Sequence, residues 1–178
     1  MNYIFLAPGF EEIEALTVID VLRRADISVK SVSITDDLTV VGAHAITVLA
    51  DCVLKNVDFA TAHYLILPGG MPGATNLSNC KPLTAHLQAH HEAQKPLAAI
   101  CAAPLVLGRL GLLQGLEAIC YPGFEHELQG ARLSHQNVVQ SQRVVTAKGP
   151  AYALDFALKL VADIKGDFVA ETIKKAMF

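Results

Sequence analysis

With 178 residues and 52% apolar side chains, the chain is long enough for one hydrophobic core and short for two, so a single domain over residues 1–178 is expected. A formal net charge of -3 and a pI near 6.1 leave no cationic surplus to meet a phosphate backbone, which argues against nucleic acid as a partner. The apolar stretch from Pro96 to Gly108 is interrupted by Pro104 and stops before Arg109; a bilayer span needs roughly 20 residues, so no membrane insertion is expected.

The first apolar run, Tyr3–Ala7, has no basic leader before it and is closed by Pro8-Gly9, so it reads as a strand and the chain as cytoplasmic. A helical period follows over Glu12–Ala25. Thr17, Asp20 and Arg24 mark its wet face, and Glu14 lies on the flank shared with Val18, Val21 and Ala25. Strands are predicted at Ser28–Ser33, Ile46–Ala50 and Tyr64–Leu67, the last running into Pro68-Gly69-Gly70-Met71-Pro72-Gly73. The helix Lys81–Ala93 carries His86, His90 and His91, read as solvated because no third metal ligand follows at a sensible spacing. A strand at Pro96–Ile100 then meets a helix at Ala102–Leu110 with no residues to spare for a loop. Gly115–Arg143 carries weak signals, consistent with short strands and a surface loop. A strand at Val144–Ala147 and helices at Pro150–Ile164 and Asp167–Ala176 complete the chain. Apolar runs alternating with helical segments predict an α/β fold with a mostly parallel sheet covered on both faces. Ligands of such sheets bind at the carboxyl ends of the strands.

Three segments fall at that edge: Pro8 to Glu14, Pro68 to Gly73 and Cys101 to Pro104. Cys101 occupies the strand-to-helix turn itself, the geometry of a nucleophile elbow, and Ala99 and Ala103 supply the small neighbours that such an elbow needs. A thiol at a helix N-terminus is expected to have a lowered pKa. The other three cysteines, Cys52, Cys80 and Cys120, show no CxxC or zinc spacing and read as reduced and inert. Backbone N–H groups of Gly70 and Ala102 are placed to converge as an oxyanion hole. A partly desolvated Glu14 would hold its proton and partner the thiol, although periodicity does not separate Glu14 from Glu11. His126 is a second possible partner, giving a Cys–His dyad. Neither G-x-G-x-x-G nor a Walker lysine is present, so no nucleotide fingerprint is found.

The elbow Ala98-Ala99-Ile100-Cys101-Ala102-Ala103-Pro104, the loop Leu67-Pro68-Gly69-Gly70 and the segment Ala7-Pro8-Gly9-Phe10-Glu11-Glu12-Ile13-Glu14 resemble the DJ-one branch of the ThiJ/PfpI family, and the likeness runs nearly end to end. It implies a flavodoxin-like three-layer α/β/α sandwich, usually a homodimer. It also implies Cys101 as an oxidation-prone nucleophile, Glu14 as the acid bonded to it, and Gly70 with Ala102 as donors beside Gly69. The resemblance points to a cofactor-independent glyoxalase or deglycase acting on small aldehydes or glycated substrates, with a redox sensor or chaperone as the alternative and an intracellular cysteine hydrolase or peptidase as a third reading. Two positions depart from the family pattern. Tyr121 stands where relatives often place a histidine, and His44 where an arginine often approaches the site across the dimer interface. The protease-like branch has histidine at the position of Ala102, and amidotransferases sharing the elbow supply a later His-x-Glu, whereas His90-x-Glu92 precedes Cys101 here.

Overall fold

The computed structural model describes residues 1–177. The chain runs through β1 (Asn2–Leu6), α1 (Glu12–Arg24), β2 (Val29–Ser33), β3 (Thr39–Val41), β4 (Thr47–Leu49) and β5 (Cys52–Val53). There follow β6 (Leu65–Leu67), α2 (Gly73–Asn79), α3 (Lys81–Glu92), β7 (Leu97–Ile100) and α4 (Pro104–Arg109). The last part holds β8 (Glu117–Ala118), β9 (Arg132–Leu133), β10 (Val138–Ser141), β11 (Val144–Ala147), α5 (Ala153–Lys165) and α6 (Asp167–Ala176).

Seven of these strands form one sheet in the order β10-β11-β7-β6-β1-β2-β5, parallel except for the antiparallel edge strand β10. Its middle is built from the unbroken apolar runs Ile4–Leu6, Leu65–Leu67 and Leu97–Ile100, every residue of which is fully buried. A parallel strand covered by helices on both faces needs such a run, since neither face meets water. Helices flank the sheet: α5 packs on both α1 and α6, and α2 packs on α3 and α4.

The order of strands positions the site. From β1 the chain moves outward through β2 and β5, then returns to the other side of β1 for β6 and β7. The direction of winding therefore reverses between β1 and β6, which opens a crevice above their carboxyl ends. The register Ile66↔Ala98 and Ile4↔Ile66 puts the loops after β1, β6 and β7 side by side at that crevice.

Several sequence expectations need correction. The strand read at Ile46–Ala50 is not part of the main sheet; β4 pairs with β3 in a hairpin, where Leu49 is 72% exposed. The edge position next to β2 goes to the short β5. The short strands expected in Gly115–Arg143 are present: β8 and β9 pair in a small sheet of their own, and β10 joins the main one. A helix at Gly73–Asn79 went unread because its Gly, Thr, Asn and Ser residues carry little helical propensity. The histidines of α3 are not all solvated: His90 is buried and donates to the His63 carbonyl (2.7 Å), and His86 stacks on Phe59. Among the described residues no helix is long and apolar enough to cross a membrane.

Candidate active site

Cys101 follows β7 with a φ of 64°, in the left-handed region that a β carbon disfavours. Its surroundings over-determine that strained conformation. The Cys101 N–H donates to the Ala147 carbonyl (2.9 Å), its own carbonyl accepts from the Tyr121 N–H (2.7 Å), and the Ala103 N–H closes the turn on Ile100 (3.0 Å). Ala99 and Ala103 are fully buried around it, leaving the cysteine 9% exposed. Helix α4 starts at Pro104, later than the expected Ala102, because Cys101 to Ala103 are spent on the turn.

Gly69 is the spacer between thiol and acid. Its N–H donates to Glu14 Oε2 (2.7 Å) and its carbonyl accepts from the Glu11 N–H (2.9 Å). A β carbon on Gly69 would come within 2.7 Å of the Cys101 Cβ, 2.8 Å of Glu14 Oε2 and 2.9 Å of the Ile100 carbonyl oxygen. Gly70, at φ 88°, fits against the backbone of Gly9, Phe10 and Glu11, where no side chain has room.

Glu14 has no solvent exposure, and its Oε1 has no hydrogen-bond partner of ordinary geometry. The helical wheel gave it a half-wet flank; the loop after β6 covers that flank and completes its burial. Burial raises the carboxyl to about 7 and the Glu11 charge adds to this, against the Gly69 N–H and the Cys101 thiol, which stabilise the carboxylate. The thiol departs from expectation. Burial first, then the charge of Glu14 and its hydrogen bond, push Cys101 up to about 12, although the N–H groups of Ala102 and Gly70 both favour the thiolate. The six-residue α4, with Pro104 lacking an N–H at its start, does not outweigh desolvation. Two such groups titrate as a pair. The first negative charge forms near neutrality, chiefly on Glu14, and the second only far above it, so the singly charged pair holds a thiolate only where the proton sits on Glu14.

The remaining candidates are distributed as follows. Tyr121, 46% exposed, is tied to the elbow by its main chain and lays its ring over Gly149. His126 is not brought to Cys101. It is largely exposed beside Glu127, whose carboxylate binds Arg109 and whose main chain packs on Gly108, at the end of α4 away from the elbow. The Cys–His dyad is therefore not formed.

His44 lies on the turn of the β3–β4 hairpin, and α1 holds it there. Glu12 accepts from its N–H (2.8 Å) and pairs with its Nδ1 (2.9 Å); Glu11 Oε1 lies 3.6 Å from the same nitrogen. Glu11, Glu12 and His44 bring ligand atoms within 4.8 Å of one another. Imidazole and carboxylates are engaged in that pairing, so we read the trio as an ion-pair cluster and not a metal centre. Its role escaped the sequence reading because adjacent glutamates at a helix start look like plain dipole partners.

Comparison with known proteins settles the lineage. The model of the DJ-1/PfpI family matches residues 2–163. The chain belongs to the DJ-1/PfpI family. It is 36% identical over 163 residues to the DJ-1 homolog B of Arabidopsis thaliana, covering 90% of this chain and 37% of that protein, so it spans well under half of that plant relative. A glutathione-independent glyoxalase of Caenorhabditis elegans is 32% identical over 168 residues, covering 94% of this chain and 89% of the worm protein. Among solved structures, oxidised Toxoplasma gondii DJ-1 superposes with a TM-score of 0.95 at 37% identity, covering 99% of this chain and 96% of that one.

Proposed function

We propose that the protein is a cofactor-independent glyoxalase or deglycase acting on small reactive aldehydes, with Cys101 as nucleophile and Glu14 as the proton carrier. The observation that carries this is a fully buried glutamate with one oxygen fixed by Gly69 and the other without a partner of ordinary geometry, beside a buried cysteine on a strained elbow. One nucleophile with one acid, and no base triad, suits carbonyl rearrangement better than amide cleavage. With methylglyoxal, the thiolate adds to the aldehyde carbon and Glu14 gives its proton to the resulting oxyanion, near the N–H groups of Gly70 and Ala102. The Glu14 carboxylate then takes the hydrogen of that carbon as a proton, and the enediol formed is protonated on the adjacent carbon. This leaves a thioester on Cys101, and water releases lactate and restores the thiol. The worm relative named as a glyoxalase supports the reading by likeness.

The decisive experiment measures lactate formed from methylglyoxal by the protein alone, before and after iodoacetamide, with peptide masses locating the label. Loss of lactate formation in proportion to labelling at Cys101 is expected; a rate unaffected by complete labelling of Cys101 overturns the proposal. A second reading is favoured by the buried acid and by the oxidised Toxoplasma structure: peroxide oxidises the Cys101 thiolate to sulfinate, each step transferring one oxygen and releasing water, with the Glu14 proton bonding the product. The same masses after peroxide read this directly, since two added oxygens must appear at Cys101 ahead of the other cysteines, and an even spread removes it.

A further inference from the structure

The acid of the proposed reaction has no contact with solvent, yet the reaction and the free thiol both exchange protons at Glu14. Among the described carboxylates, Glu11 is the one whose charge acts on it. Glu11, 12% exposed at its side chain, approaches His44 to 3.6 Å and raises Glu14 by its charge, and its backbone is bonded to the Gly69 that also bonds Glu14. The His44 side chain is 66% exposed and contacts the carboxylates of Glu11 and Glu12. The groups facing His44 are therefore two carboxylates on α1 and the residue preceding it. Those acting on Glu14 are Glu11 on one side and Cys101 on the other.

We propose that His44 and Glu11 are positioning residues that set the proton affinity of the Glu14–Cys101 pair, so that the charge state of a surface imidazole controls how much Cys101 thiolate forms near neutral pH. This rests on the acid–thiolate reading of the site. The sign follows from Coulomb's law. An ionised Glu11 opposes the first negative charge on the pair, and a protonated His44 offsets Glu11 and eases it. Both carboxylates hold His44 in its protonated form to a higher pH than an isolated imidazole. As pH rises and His44 loses its proton, Glu11 acts undiminished and the pair binds its remaining proton more tightly. The coupling thus opposes ionisation of the pair at the pH where it would otherwise be complete and broadens the transition. An arginine at this position would supply a fixed charge; a histidine makes it variable.

The test measures the rate of Cys101 alkylation against pH in the wild type, Glu11→Gln and His44→Gln, read by peptide mass and thus independent of any aldehyde turnover. Both substitutions keep the main-chain bonds of Glu11 to Gly69 and of His44 to Glu12. The midpoint near neutrality is expected to fall in Glu11→Gln and to rise in His44→Gln, each by about half a pH unit. In the double variant the two shifts should largely cancel, since the two charges act on the pair with opposite sign. A wild-type midpoint near neutrality that neither single variant moves overturns the coupling and leaves the acid–thiolate reading standing. A wild type with no midpoint near neutrality overturns both.

Discussion

Glu14→Gln is expected to lower lactate formation from methylglyoxal by about 10²–10⁴-fold, the usual contribution of a positioned proton carrier, and to change Cys101 alkylation at pH 8 by less than about tenfold. The amide keeps a carbonyl oxygen for the Gly69 N–H and an N–H to offer the sulfur, so the buried cradle remains satisfied. What it removes is a proton that can leave and return. Rates of turnover and of alkylation on the same preparation separate the two roles. Turnover within a few-fold of wild type would mean that Glu14 only packs beneath the elbow, and the proposed mechanism would fail.

Gly69→Ala should damage the fold and the site together. The added carbon would meet the Cys101 Cβ at 2.7 Å, Glu14 Oε2 at 2.8 Å and the Ile100 carbonyl at 2.9 Å, with a backbone atom and both reacting groups crowded together. Relief by side-chain rotation is blocked, because Glu14 is fully buried and the elbow is bonded at both ends. The expected cost is about 1–3 kcal/mol of stability, as for overpacking elsewhere. A misplacement on the order of 1 Å between thiol and acid should also lower turnover by about 10²-fold. Thermal melts and turnover together measure it. A variant as stable and as active as wild type would show that the spacing of these groups does not matter.

The sheet was legible because its buried strands leave no choice of pattern: Leu65–Leu67 and Leu97–Ile100 are unbroken apolar runs, and the elbow follows from having no loop between Ile100 and Pro104. Glu14 could be suspected from its place on the helical wheel, but its complete burial depends on Gly69 arriving from β6, which no local period encodes. The same limit explains the thiol. A helix start argues locally for ionisation, whereas the desolvation that opposes it comes from residues far apart in the chain. The strand at Ile46–Ala50 could not be assigned to its hairpin from sequence, because an exposed two-stranded hairpin carries much the same β-branched composition as a strand of the main sheet. His126 could be placed only once Glu127 was seen to bind Arg109 at the far end of α4.

The account stands on a carboxyl group that keeps its proton to near neutrality because it shares a dry site with a thiol. Folded protein with such a raised carboxyl pKa is favoured below the ordinary value of 4.5 and loses that advantage as pH rises through about 7, so stability should decline across this window relative to Glu14→Gln. The most direct measurement follows the carboxyl itself, by carbon NMR of glutamate-labelled protein, with the Glu14 resonance assigned by its absence from Glu14→Gln. A titration midpoint near 7 is the expected result. A midpoint at the ordinary carboxylate value would contradict the protonated-acid site and the chemistry built on it.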